Sequence, residues 1–195
     1  PFRGFKFDLY EGGIRTPFII SWPEHIKKRI TYNKMVSSMD VYPTVVEAAG
    51  LTLPDQALDG VNLLPYLDGS TTNAPHQWLC WQNRSWITYG NNKDVRPLNR
   101  VHNCAIRQDN WKLVRYNDEI DSLEVSPPWK LYDLLKDVGE TNDVSAQNPE
   151  IVNEMSAIFT DWRNSMHPSM EEKRYIPAKR SLKRSSEGYL IQTIN

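Results

Sequence analysis

The stretch from Asn103 to Tyr116 constrains this chain most. Asn103-Cys104-Ala105-Ile106-Arg107 and Trp111-Lys112-Leu113-Val114-Arg115-Tyr116 flank the polar link Gln108-Asp109-Asn110. Two apolar-rich runs joined by a short polar turn predict an antiparallel β-hairpin. A hairpin alone is marginal in water and needs further strands or a helix. Gln77-Trp78-Leu79-Cys80-Trp81 upstream and Trp129-Lys130-Leu131-Tyr132-Asp133 downstream read as those strands, which gives a four-stranded antiparallel sheet. Asn148-Pro149-Glu150 then opens a helix: an N-cap, proline at the first helical position and an acid at the positive dipole end. Ile151, Val152, Met155, Ile158, Phe159, Trp162 and Met166 recur at helical spacing. One face of this helix therefore packs, and the small sheet is the natural partner.

The first part has another texture. Gly4, Gly12 and Gly13 punctuate residues 1–13, which read as loop. Ile14 to Trp22 contains the continuous run Phe18-Ile19-Ile20, closed by Pro23. Such a run predicts a strand buried on both faces, as in a helix-covered sheet. Asp40 reads as the N-cap of a helix through Ala49, with Gly50 as its stop. Leu63–Leu67 reads as a short helix between the turn signals Asp59-Gly60 and Asp68-Gly69. Beyond His167 the chain is polar and basic and reads as a solvated tail. The expected organisation is residues 1–73 as a piece of a larger α/β domain, 74–166 as a small α+β domain with a packed C-terminal helix, and 167–195 as tail.

Charge and composition exclude several classes. Lys and Arg number 23 and Asp and Glu 24, so the net charge is −1. No field of one sign points to nucleic acid or an anionic surface. No apolar run approaches the ~20 residues of a membrane span. Cys80 and Cys104 are too few for a disulfide framework or a zinc site and read as two small buried thiols. The chain opens on Pro1-Phe2-Arg3, without Met or a signal-like region, which does not resemble a natural start.

Taken in order, several segments resemble the C-terminal half of the formylglycine-dependent sulfatases, in the alkaline-phosphatase-like superfamily. Arg3-Gly4-Phe5-Lys6-Phe7-Asp8-Leu9-Tyr10-Glu11-Gly12-Gly13-Ile14-Arg15-Thr16-Pro17 resembles their R-G-x-K-x-x-x-[YW]-E-G-G-[IV]-R-x-P segment. Asp40-Val41-Tyr42-Pro43-Thr44 resembles D-[LIV]-x-P-T, and Asp59-Gly60-Val61-Asn62-Leu63-Leu64-Pro65 resembles D-G-x-S-L-x-P. Residues 105–113 resemble the A-[IV]-R-x-G-x-W-K-L hairpin, and residues 131–144 resemble L-Y-D-L-x-x-D-P-x-E-x-x-N-L. No one segment is decisive, but their order over residues 1–165 is specific.

The resemblance implies a hydrolase that uses formylglycine and a divalent cation, usually calcium, held by aspartates. The formylglycine motif C-x-[PA]-S-R is absent here. Cys80-Trp81-Gln82-Asn83-Arg84 has its spacing but not its Pro/Ala and Ser, and Asp109-Asn110 reads as a turn rather than a metal pair. No metal ligand is therefore assigned to this chain, and nucleophile and metal are expected in upstream sequence or on another chain. Lys6 falls on the family lysine that contacts the sulfate. A fixed ammonium suits the charge on the sulfuryl oxygens. Phe5 and Phe7 replace the small residues common beside it. Glu11 and Arg15 read as structural, holding the Gly12-Gly13 turn against the following strand. The family's W-E-H histidine is missing from Trp81-Gln82-Asn83. An insertion at 84–102 follows, with Trp86, Arg100 and His102 as candidate contacts to a sulfated sugar. Neither His25, His76 nor His167 has motif support.

The expected function is the C-terminal part of a sulfatase acting on sulfate monoesters, with a sulfated carbohydrate as partner and the missing N-terminal portion completing the site. This piece is expected to be inactive alone. A metal-dependent phosphodiesterase or phosphonate hydrolase of the same superfamily, and a non-catalytic glycan-binding piece, are the alternatives. Family resemblance suggests a periplasmic, secreted or lysosomal location.

Overall fold

The computed structural model describes residues 1–23, 25–26, 29–83, 103–116, 128–172, 181–184 and 190–193. Residues Pro1–Phe159 form one compact unit and Thr160–Asn195 a second. The first unit is built on the expected sheet: β1 (Trp78–Asn83), β2 (Asn103–Gln108), β3 (Trp111–Arg115) and β4 (Lys130–Asp133), adjacent in that order and antiparallel throughout. The hairpin turn is Asp109-Asn110, with Asp109 in the left-handed region at φ 49°. Aspartate tolerates that region better than most residues, which explains why this polar link can be so short.

Register decides which side chains share a face. Leu79, Arg107, Lys112 and Tyr132 line up across the strands, as do Trp81, Ala105, Val114 and Lys130. Both rows lie on one face. Cys80, Ile106, Leu113 and Leu131 form a row on the other, and the last three are fully buried. Helix α4 (Pro149–Glu172) attaches to that second face through its residues in the first unit. Its Phe159 meets the Trp129 ring edge-on at 5.4 Å, and Gln108 Nε2 donates to Glu154 Oε1. Met155 and Phe159, on the predicted apolar stripe, are buried.

The first face carries the N-terminal loop. Leu9 and Tyr10 pack with Ala105, Val114 and Tyr132. The Tyr10 ring stacks on Tyr116 with 4.7 Å between centroids. A single helical turn, α1 (Glu11–Ile14), ends this loop.

The strand expected over residues 14–22 is not formed. Phe18 is 46% and Ile19 88% exposed, and no described residue pairs with them. A strand is stable only through its neighbours' hydrogen bonds and cover, and the described residues offer neither. Helix α2 (Val41–Ala48) exists with Asp40 at its N-cap position as expected, but the Asp40 side chain makes no capping hydrogen bond to this helix. A 3-10 turn, Ser38–Asp40, precedes it and Ser37 caps that turn. Ser37 accepts from Met39 N–H, and Asp40 accepts from Ser37 N–H, which completes a capping box. The predicted stop is formed in full: Gly50 N–H donates to Glu47 and Leu51 N–H to Val46, with Gly50 at φ +67°. Helix α3 is Leu64–Leu67.

The second unit differs from a plain tail. The helix continues to Glu172, and β5 (Ser181–Arg184) pairs antiparallel with β6 (Leu190–Thr193). Cys80 and Cys104 are reduced thiols with no bond between them. Burial first, and then the neighbouring Cys104, push the Cys80 thiol up to about 12.

Candidate functional site

Lys6 sits at the corner of a four-residue turn. Asp8 N–H donates to the Phe5 carbonyl at 2.9 Å, and Phe5 N–H donates to Asp8 Oδ2 at 2.9 Å. Phe7, the third residue of the turn, has φ +85°. A type II turn requires a positive φ at that position, and glycine is the usual occupant. Lys6 and Phe7 are exposed, and the Lys6 ammonium lies 5.1 Å from the centre of the Phe7 ring. No described carboxylate is within ion-pair distance of Lys6.

Three contacts hold the loop around this turn to the end of β1, to the residue after β3 and to the segment after β4. Asn83 Nδ2, at the end of β1, donates to the Phe7 carbonyl at 2.7 Å. The Tyr116 hydroxyl accepts from Leu9 N–H. Arg3 Nη1 donates to the Glu140 carbonyl at 2.8 Å, while its guanidinium lies 4.0 Å from the centre of the Tyr10 ring.

Beneath the turn is a buried charge cluster. Glu11 is 1% exposed. Its Oε1 accepts from Lys112 Nζ at 2.9 Å and its Oε2 from Arg107 Nη1 at 3.0 Å. Its backbone N–H donates to Glu140 Oε2 at 2.7 Å. Lys112 is fully buried, and this holds its ammonium below the usual lysine range against the pull of Glu11 and Glu140. Glu140, also buried and at φ 51°, has its carboxyl raised by desolvation, and its Oε1 finds no partner. Such a cluster is costly to desolvate and tolerable only because its charges alternate at hydrogen-bond distance. Register explains its assembly: Arg107 and Lys112 are paired residues on β2 and β3, so both reach the same carboxylate.

The expected role of Glu11 and Arg15 is thus half corrected. Glu11 is structural, but it is held by the hairpin rather than by the following strand. Arg15 is half-exposed and stands 3.8 Å from it. The two glycines have a separate cause. A Cβ on Gly12 would lie 2.4 Å from the Arg3 and Gly4 carbonyl oxygens, and one on Gly13 would lie 2.2 Å from that of Asp8. The backbone of the Lys6 loop occupies the space where those side chains would go.

A third buried carboxylate locks the neighbouring segment. Asp40 accepts from Ser37 and Val61 N–H, and His76 Nε2 lies 2.9 Å from each of its oxygens. Thr44 Oγ1 donates to the Asp40 carbonyl and accepts from Leu63 N–H. His76, without motif support in the sequence, is therefore a clamp between α2 and the start of β1.

Trp86, Arg100 and His102 lie outside the described residues. Sequence reasoning did not single out Arg3, Asn83, Lys112, Tyr116 or Glu140 as site-supporting residues. Arg3, Lys112 and Glu140 lay inside the motifs, so repeated charge within otherwise apolar segments was the available signal. For Asn83 the signal was its place at the histidine position of the W-E-H segment. Among the described residues no group of three or more His, Cys, Asp or Glu side chains is placed to hold a metal. The described buried carboxylates accept from Lys112, Arg107, His76 and backbone N–H groups, and the one unpartnered oxygen, Glu140 Oε1, does not stand in a group of three ligands, so this donor set does not fit a calcium ion.

Comparison with known proteins agrees with the motif order. The family described as N-sulphoglucosamine sulphohydrolase, C-terminal, matches residues 5–165. An uncharacterized sulfatase of Escherichia coli, YdeN, is 28% identical over 87% of this chain and 33% of its own length. Human arylsulfatase A is 32% identical over 75% of this chain and 30% of its own. Ps i-CgsB, whose crystal structure holds k-i-k-neocarrahexaose, superposes with a TM-score of 0.63 at 26% identity, over 83% of this chain and 32% of that one. The chain thus spans about a third of the length of these relatives. The ordered motifs, the clamped lysine loop and the matched region agree: this chain belongs to the sulfatase family and corresponds to its C-terminal part.

Proposed function

We propose that this chain is the C-terminal portion of an enzyme that hydrolyses sulfate monoesters of a sulfated carbohydrate, and that Lys6 is its cation for the sulfate. The observation carrying this is the Lys6 turn itself. An exposed ammonium without a described carboxylate partner stands on a loop that is pinned by buried charges. A cation that must meet developing negative charge works best when its position costs nothing to reorganise. Lys6 would donate to the sulfuryl oxygens. Phe5, 73% exposed, would flank the bound ester as an apolar wall.

The nucleophile and the metal of the complete enzyme belong, in this reading, to residues outside this chain, and formylglycine and calcium are the groups the family uses. Trp86, Arg100 and His102 are proposed as further sugar contacts. The compartment proposed is periplasmic, secreted or lysosomal. Among the described residues no helix is long and apolar enough to cross a membrane.

The test is Lys6→Ala in the full-length protein, assayed on para-nitrophenyl sulfate. Turnover should fall about a hundredfold, as when one fixed charge-stabilising donor is removed. Unchanged turnover would take Lys6 out of the site.

A further inference from the structure

We infer that Asn83 is a positioning residue for Lys6: its side-chain amide holds the strained Phe7 peptide and so keeps the Lys6 turn in one conformation. This rests on the reading of Lys6 given above. Phenylalanine at φ +85° is in a region that favours glycine, so the turn does not hold itself. Bulky residues persist there only where surrounding contacts over-determine the backbone. Two such contacts exist. Asp8 closes the turn from within through its carboxylate and its N–H. Asn83 Nδ2 reaches the Phe7 carbonyl from the end of β1 at 2.7 Å, across 76 residues of sequence.

The direction of the second contact matters. The Phe7 carbonyl belongs to the peptide that links the positive-φ residue to Asp8. A donor fixed on a sheet strand therefore sets the orientation of that peptide relative to the sheet, and Lys6 is the residue immediately before it. The amide oxygen of Asn83, Oδ1, is buried without a partner, so the Nδ2 donation to Phe7 is the hydrogen bond this side chain makes among the described residues. Asn83 stands where the related segment carries a histidine. Its contact with the loop backbone gives that position a role in placing the cation.

The experiment uses the full-length protein and four variants: Lys6→Ala, Asn83→Ala, Asn83→Ser and Asn83→Ala combined with Phe7→Gly. Asn83→Ala should lower kcat/KM on para-nitrophenyl sulfate about tenfold, the worth of one ordinary hydrogen bond. The loss should fall in kcat, because a displaced cation fails the transition state more than the ground state. Amide exchange at Asp8 should speed up in Asn83→Ala and not in Lys6→Ala. Adding Phe7→Gly should restore most of the rate, because glycine takes the positive φ unaided. Asn83→Ser, whose hydroxyl is too short to span the gap, should behave as Asn83→Ala and serves if the alanine variant does not fold. A slow Lys6→Ala beside Asn83 variants of wild-type rate would overturn this inference and leave the Lys6 reading standing. A wild-type rate in Lys6→Ala would overturn both. Asn83 variants that are slow, unrescued by glycine and unchanged in Asp8 exchange would also overturn the positioning role.

Discussion

Lys112 Nζ and Glu11 Oε1 are 2.9 Å apart in a site where neither side chain meets solvent. This pair joins the hairpin to the loop that carries Lys6. A buried ion pair is a poor source of net stability but an expensive one to break on one side. Lys112→Met should therefore cost about 3–5 kcal/mol in urea unfolding, because Glu11 loses its one buried cation and keeps only the partly exposed Arg107 and Arg15. Glu11→Gln added to Lys112→Met should cost less than the sum of the two single changes, by up to about 3 kcal/mol of coupling. Additive costs would mean that the two side chains do not stabilise one another.

The glycines separate a steric demand from a conformational one. Gly12→Ala places a methyl against two carbonyl oxygens of the Lys6 loop at 2.4 Å. The expected cost is about 3 kcal/mol, the upper end of an overpacking penalty. Gly50 has open space around its Cβ position and only its φ of +67° to defend. Gly50→Ala should therefore cost about 1–2 kcal/mol. Equal losses in denaturation midpoints at constant slope would contradict the crowding at Gly12.

Stability near Glu140 should fall as pH rises. Burial raises its carboxyl above the ordinary range, although Glu11 N–H, Lys112 and Arg3 oppose that and the Glu11 carboxylate assists it. Between the ordinary carboxyl value and the raised one, the folded state holds more proton than the unfolded state. The contribution is then complete below the ordinary value and is lost through the raised value, with a slope of at most about 1.4 kcal/mol per pH unit. Glu140→Gln should remove this slope from the stability–pH profile. A variant profile parallel to that of the wild type would show that Glu140 keeps an ordinary carboxyl.

Much of the local structure was legible before any coordinates. Apolar-rich runs around the polar link Gln108-Asp109-Asn110 admit little besides a hairpin, and β2 and β3 lie where they were expected, with Gln108 as the last residue of β2 and Asp109-Asn110 as the turn. The stop at Gly50 and the start at Pro149 follow from glycine's and proline's backbone limits, which act at single positions. The helix stripe was equally readable, since Met155 and Phe159 recur at the period that buries them. The misreadings have a common origin. Phe18-Ile19-Ile20 has the composition of an inner strand, but strand formation depends on partners that no local pattern specifies. Asp40 holds the N-cap position of α2, yet its side chain serves the 3-10 turn that starts one residue triplet earlier and is capped by Ser37.

The order of the motifs, a property of sequence alone, determined the family and pointed to Lys6. Only the tertiary structure decided why those motifs belong together. Glu11, Lys112 and Glu140 meet in one buried cluster, bordered by the partly buried Arg107 and the exposed Arg3, from segments up to 137 residues apart. Charges interact through space across a low-dielectric interior, and sequence separation does not encode that distance. For the same reason, the contact between Asn83 and Phe7 became visible only once the sheet had brought the end of β1 beside the loop.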